Sequence, residues 1–375
     1  MREDILTTEL QKVSSESQRR ELYSMDWLDD KDKIIEGAFA ECYLKMHPMI
    51  CIHGILFTID GIVSDESGIK NDIYSMVRPY VTSGLARKVE QLLQTIKLEA
   101  YSEPLPLQTD RIHVANGTLF LNGKFSEQKD FCLNRLPVIY DPDVEKPARW
   151  LKFMEELLNP DDILTLQEYM GYMLLPTTKA QKMMLIIGKG GEGKSRIGRV
   201  LRELFGNNMY SCSLQKIEVD KFARANLEYM LITVDDDMKL EALPQTNHIK
   251  SIVTLEDQID LERKGQQSFQ GVVYARLIAF GNGGLHALYD KTDGFYRRQL
   301  ILTTKDKVDG REDDPYLIDK LRKERDGIFL WALEGLQRLV SNNYVFTESV
   351  DAKQNLVDAQ EEGNNILAFM KSEGY

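Results

Sequence analysis

The sequence predicts an α/β protein built around a parallel sheet, and three observations carry that prediction. Between about residues 179 and 305, strand-like apolar runs alternate with helical patterns, the order expected of a parallel α/β core. One run, Met183-Met184-Leu185-Ile186-Ile187, is apolar throughout, as suits a strand covered on both faces. It leads into Gly188-Lys189-Gly190-Gly191-Glu192-Gly193-Lys194-Ser195, a G-x-x-x-x-G-K-S loop. Apolar residues at Ile197, Val200, Leu201, Leu204 and Phe205 then give helical spacing, which Gly206-Asn207-Asn208 ends.

The flanking elements follow from spacing and breakers. Residues 1–30 are polar and read as a loosely held arm. Ile34, Ile35, Ala38, Phe39, Cys42, Tyr43 and Met46 predict a helix ending before Pro48. A β-like stretch over 50–59 follows, closed by Asp60-Gly61. Leu85, Val89, Leu92, Leu93 and Ile96 mark another helix, and Pro104 and Pro106 break the pattern. Ile112 and Val114 alternate, Asn116-Gly117 turns, and Leu119 and Leu121 alternate back, a hairpin signature. Two helices over 148–158 and 163–174 lead to Pro176, and 317–340 reads as one long helix before a charged helical tail. The organisation expected is a mainly helical region over 1–100, a hairpin plus a helical lead-in over 101–178, the α/β core over 179–305, and a C-terminal helical region over 306–375.

Composition narrows the class. With 375 residues there is ample core for two or three domains. Four scattered cysteines form no C-x-x-C pair, which disfavours a zinc module or disulfide framework and suits a reducing cytoplasm. No apolar run has the length of a membrane span, so a membrane partner is not expected. The net charge of −12 excludes a generally basic nucleic-acid binder and leaves room only for a local basic patch.

Several residue groups carry chemistry. In the loop, glycines let successive N–H groups turn toward phosphate oxygens. Lys194 reaches the β- and γ-phosphates, and the Ser195 hydroxyl suits Mg²⁺. Gly188, Gly190, Gly191, Glu192, Gly193, Lys194, Ser195 and Arg196 are therefore the expected contacts for ATP. A second apolar strand, Met230-Leu231-Ile232-Thr233-Val234, ends in Asp235-Asp236-Asp237. Asp235 is assigned to the metal and Asp236 to the attacking water, with the pair among the three left open. A third strand, Ala275–Phe280, ends at Gly281-Asn282, where Asn282 can sense the γ-phosphate or help position water, and an ordinary Asn-Gly turn is the plainer reading. Phe295-Tyr296-Arg297-Arg298 offers two arginines that can reach a neighbouring subunit's phosphates, and a pair of surface ion-pairing arginines is the plainer reading. The segment around Arg263-Lys264-Gly265 reads as a β-hairpin with a basic tip, suited to a nucleic-acid backbone or else an ordinary solvated turn.

These elements, in this order, resemble the superfamily-three helicases of the AAA+ class, closest to the phage, plasmid and poxvirus primase-helicases. The likeness extends to Arg111–Leu119, to Trp150-Leu151-Lys152-Phe153 and Gln167–Tyr172, to Asp293–Arg298 and to Gly327–Leu336, and it covers roughly residues 30–370. It implies an AAA+ motor over 179–305 with a collar-like region ahead of it. Lys194 and Ser195 would serve phosphate and Mg²⁺, Asp235 and Asp236 would be the Walker B pair, and Asn282 would be the sensor. Arg298 or Arg297 would be the trans-acting finger, and Lys264, with Arg263 beside it, would grip DNA. It further implies a homo-oligomeric, hexameric ring on single-stranded DNA, working with other replication proteins of a phage or mobile element in the cytoplasm of a bacterial or phage-infected cell. Glu192 departs from the Asn common in such loops, no recognisable primase module is expected ahead of the motor in this sequence, and the winged helix with which relatives often continue is not expected before Tyr375. A second reading is an ATP-switched oligomeric DNA-binding or assembly protein that does not unwind. A third, a metabolic P-loop kinase, is disfavoured by the strand-end acids and paired arginines.

Overall fold

The computed structural model describes residues 27–239, 243–254, 258–265, 267–287, 293–307 and 314–363. The expected N-terminal arm therefore falls almost wholly outside the described residues, as does the tail beyond Gly363. The chain divides into two compact units, Met1–Pro106 with Asp130–Leu133, and Leu107–Lys129 with Asn134–Tyr375.

In the first unit, helix α1 (Glu36–Met46) stops ahead of Pro48, because the residue before a proline is pushed out of the helical region. The apolar stretch behind it is not one strand but an antiparallel meander, β1 (Met49–Ile52), β2 (Ile55–Thr58) and β3 (Gly61–Ile62). His53 and Gly54 turn between β1 and β2 with φ of 49° and 78°, the left-handed values a two-residue hairpin loop needs. Helices α2 (Ser67–Val77) and α3 (Leu85–Glu99) complete the unit, and the apolar spacing points only to the second of them. Trp27, Phe39, Ile73 and Leu92 lie in its core.

The second unit opens with the expected hairpin, β4 (Arg111–Val114) and β5 (Gly117–Phe120), extended by β6 (Phe125–Ser126) and β7 (Arg135–Leu136) in the order β6-β5-β4-β7. Helices α4 (Ala148–Leu157) and α5 (Pro160–Tyr172) then lead into the core. That core alternates β8 (Met183–Ile187), α6 (Ser195–Phe205), β9 (Met209–Ser211), α7 (Leu214–Val219), α8 (Lys221–Ala225) and β10 (Ile232–Met238). It continues through α9 (Asn247–Thr254), the β11 (Ile259–Leu261) and β12 (Phe269–Gly271) hairpin, β13 (Arg276–Gly281), α10 (Asp293–Tyr296) and β14 (Gln299–Thr303).

Five of these strands make one sheet in the order β14-β8-β13-β10-β9, every neighbouring pair parallel. Strand periodicity explains its double burial. Met184, Ile186, Ile278 and Phe280 pack on the side of α6, with Val200 and Leu204. Met183, Leu185, Leu277 and Ala279 pack on the other, with Leu214, Ile217 and Ile249. The fold is thus an α/β P-loop NTPase-like core with helices at both ends.

The expected single helix over 317–340 is two, α11 (Leu317–Lys323) and α12 (Arg325–Ser341), followed by α13 (Val350–Gly363). The break falls at Glu324, whose carboxylate accepts the backbone N–H groups of Arg149 and Trp150, each at 2.9 Å. The first turn of a helix leaves its N–H groups without partners inside the helix, and Glu324 satisfies two of them for α4. A tertiary contact of this kind leaves no local trace in the sequence.

Among the described residues, no helix is long and apolar enough to cross a membrane.

Candidate nucleotide site

Parallel strands all end on one edge of their sheet, and the register sets which ends meet. Gly281 of β13 lies opposite Ile187 of β8 on one side and Met238 of β10 on the other. The loop after β8, the acids of β10 and Asn282 after β13 are therefore brought to one level. The Gly188 N–H donates to the Gly281 carbonyl at 3.2 Å, which ties the loop's start to the middle strand.

Within the loop, Gly190, Gly191 and Gly193 have φ of 109°, 84° and 106°, a region that side-chain-bearing residues adopt only at a cost. Helix α6 starts directly behind, at Ser195, so the positive end of its dipole faces the same space. Lys194 donates to Asn282 Oδ1 at 3.1 Å and to Glu192 Oε2 at 3.2 Å. The Glu192 carboxylate is 3% exposed and also accepts the Gly190 N–H at 2.6 Å. Burial works against its charge, but its own backbone N–H, the Lys194 ammonium and the Gly190 N–H outweigh burial and hold its carboxyl below the ordinary value. Glu192 thus braces the loop from inside, in contact with its lysine.

The three acids separate. Asp235 is 4% exposed and turned under the sheet edge, where its Oδ2 accepts the Leu214 N–H of α7 at 2.9 Å. Burial pushes its carboxyl upward, against the pull of that N–H. Asp236 and Asp237 instead line a cleft of about 370 Å³ together with Lys194, Ser195 and Asn282. Asp235, the residue expected to serve the metal, does not line that cleft. A β-bulge is the reason: Asp235 pairs with Ala279 and Met238 with Gly281, so three steps along β10 match two along β13. Asp236 lies against α6, close enough that a Cβ on Gly198 would stand 2.6 Å from its Oδ1. Loss of water there raises its carboxyl, with the Arg199 and Arg202 guanidinium groups opposing.

Of the other expected contacts, Gly191, Gly193 and Arg196 line the cleft. Gly188 is crowded by Thr304 and by the Glu192 side chain, so no larger residue fits there. Neither Arg297 nor Arg298 lines the cleft. The Arg298 guanidinium turns back onto the Gly294 carbonyl of the preceding helix, α10, while Arg297 is exposed. The residues of this segment before Asp293 fall outside those described back to 288.

The basic hairpin forms, with Lys264 and Gly265 at its turn and Gly265 at a φ of 77°. Its two basic residues differ. Arg263 stacks on Phe269 at 4.6 Å and pairs with the buried Glu228 carboxylate, whereas Lys264 is exposed. Sequence reading misses two neighbours. Lys221 of α8 pairs with Glu262 of the hairpin at 2.6 Å, and Phe222 beside it is 39% exposed. An aromatic between two nearby basic residues, Lys221 and Arg224, is the signal that could have found them.

Residues 186–298, from the end of β8 to the doorstep of β14, match the profile of a family of unknown function, DUF5906. The chain also resembles solved structures of the NrS-1 C terminal region. One apo structure aligns over 88% of this chain and 75% of that one, with 12% identity and a TM-score of 0.58. The A form apo structure aligns over 86% and 74%, with 11% identity and a TM-score of 0.55. These values establish a shared fold. A JCV helicase structure aligns over 58% of this chain with a TM-score of 0.29, below the level of a common fold.

Proposed function

We propose that this protein is an ATP-hydrolysing motor that acts on single-stranded DNA, a helicase or translocase working as a ring of identical subunits. The observation that carries this reading is the convergence of the G-x-x-x-x-G-K-S loop, two strand-end carboxylates and Asn282 in one cleft. The parallel order β14-β8-β13-β10-β9 puts Asn282 between loop and acids.

The residues fit ATP and Mg²⁺. Mg²⁺ keeps several waters and takes one or two protein ligands plus phosphate oxygens. Ser195 and Asp236 meet that need, because Gly198, which abuts Asp236, stands one turn beyond Ser195 on the same face of α6. When bound, Mg²⁺ neutralises charge on the β- and γ-phosphates. The loop N–H groups and Lys194 hold the phosphates, with Lys194 exchanging its Glu192 and Asn282 contacts for phosphate oxygen. Asp237 orients the attacking water and accepts its proton, and Asn282 fixes that water's position. Arg297 serves a neighbouring subunit's phosphates, a reading supported by its exposure and its position outside its own cleft. Lys264, Lys221 and Phe222 make the DNA-facing surface, where charge and stacking grip a strand without reading sequence.

The test is steady-state ATP hydrolysis with and without single-stranded DNA, beside Lys194→Ala. Turnover is expected to rise several-fold with DNA and to vanish in the variant. Hydrolysis indifferent to DNA would instead favour an ATP-switched assembly protein.

A further inference from the structure

The cleft has a wall that phosphate chemistry leaves idle. It is formed by Phe153 of α4 and by Asp314 and Leu317 at the start of α11. From this wall we infer a nucleobase subsite that takes a nucleoside triphosphate whose base carries an exocyclic amino group. The base lies against Phe153 and Leu317, and the Asp314 carboxylate accepts a hydrogen bond from the amino group. The inference rests on the reading of the cleft as a nucleotide site and deepens it.

Three observations support it. A ligand bound only through phosphates needs donors and cations, whereas an apolar wall continuous with the loop suits a ligand with a flat apolar end. The wall is also rigid. Phe153 is 2% exposed and packs on Trp150 at 5.9 Å between ring centroids, so its remaining surface is held in place. Finally, Asp314 is fixed and charged. Its Oδ1 accepts the Tyr316 N–H at 2.9 Å, and its Oδ2 meets Lys320 at 2.7 Å and Arg149 at 3.5 Å. The bond from Lys320 holds its carboxyl below the ordinary value, so near neutral pH it only accepts. A carboxylate keeps lone pairs beyond those already engaged. Adenine, guanine and cytosine offer it an amino donor, whereas both exocyclic groups of uracil are carbonyl oxygens and would set acceptor against acceptor.

CTP and UTP make the cleanest pair, because they share ring size and differ at that exocyclic group. Affinities for ATP, CTP, UTP and inorganic tripolyphosphate are measured on the full chain and on Leu317→Ala, Asp314→Asn and Lys194→Ala. The parent is expected to bind ATP about tenfold or more above tripolyphosphate, from base stacking, and CTP roughly tenfold above UTP. Leu317→Ala should shrink the ATP-to-tripolyphosphate ratio several-fold with tripolyphosphate affinity unchanged, and Asp314→Asn should erase the CTP–UTP gap. Equal affinity for CTP and UTP in the parent, or an equal loss for ATP and tripolyphosphate in Leu317→Ala, overturns the subsite while leaving the phosphate site standing. If Lys194→Ala binds tripolyphosphate as the parent does, the nucleotide reading falls and the subsite falls with it. Because each ratio is internal to one variant, partial loss of folded protein leaves it unchanged.

Discussion

The missing side chain at Gly198 is what allows Asp236 to lie against α6. An added methyl would stand 2.6 Å from the carboxylate oxygen and 3.3 Å from the Phe280 ring, and the ring is core. The carboxylate has to give way, out toward the cleft. Gly198→Ala should therefore lower kcat by about 10²-fold, the scale on which a displacement of about an ångström acts. Nucleotide affinity should change little, since the loop and Lys194 are untouched. A matched loss in both kcat and affinity, with normal unfolding, would remove Gly198 from the positioning of Asp236. Alanine is itself the better helix former by about 1 kcal/mol, so global instability is a poor alternative explanation for such a loss.

At the scale of elements, two helices approach as closely as backbones permit. A Cβ on Gly171 of α5 would run into the Ala332 carbonyl and the Leu336 N–H of α12, and one on Gly335 of α12 into the Gln167 carbonyl of α5. Gly335→Ala should cost about 1–3 kcal/mol through overpacking and lower the Tm by several degrees. Gly68→Ala in α2 is the control, because nothing stands within 4 Å of the added carbon; its Tm should hold or rise slightly. An unchanged Tm for Gly335→Ala would mean the helices can slide apart at no cost. The elements themselves were largely readable. An unbroken apolar run announced β8, mostly apolar runs announced β10 and β13, and the glycine-rich loop announced the turn into α6, because burial on both faces and left-handed backbone each demand particular residues. The bulge in β10 was not readable, since nothing in Asp235-Asp236-Asp237 tells which carboxylate finds the Leu214 N–H. Glu324 was hidden for the same reason: its partners, Arg149 and Trp150, are 175 and 174 residues away in sequence. Nor did adjacent arginines reveal that Arg298 folds back on α10 while Arg297 faces outward.

For the whole molecule, the decisive question is whether one chain contains a complete site. Its cleft holds the loop, two strand-end carboxylates and Asn282, but neither arginine of the 297–298 pair. On the proposed reading the missing cation comes from the next subunit, which requires head-to-tail contacts that close into a ring. That arrangement makes a prediction no single-chain enzyme shares. Lys194→Ala and Arg297→Ala should each be nearly inactive alone, because one lacks the phosphate lysine and the other the arginine offered to its neighbour. When equal amounts are mixed and allowed to exchange subunits, an interface is competent if the Arg297→Ala chain supplies the loop and the Lys194→Ala chain supplies the arginine. Random assembly gives about one interface in four of that kind, so roughly a quarter of parental turnover should return. Arg298→Ala does not substitute in this test, because its guanidinium is committed to Gly294. If the mixture stays as inactive as its components while subunits demonstrably exchange, Arg297 does not act across an interface and each chain must hydrolyse ATP with what its own cleft contains.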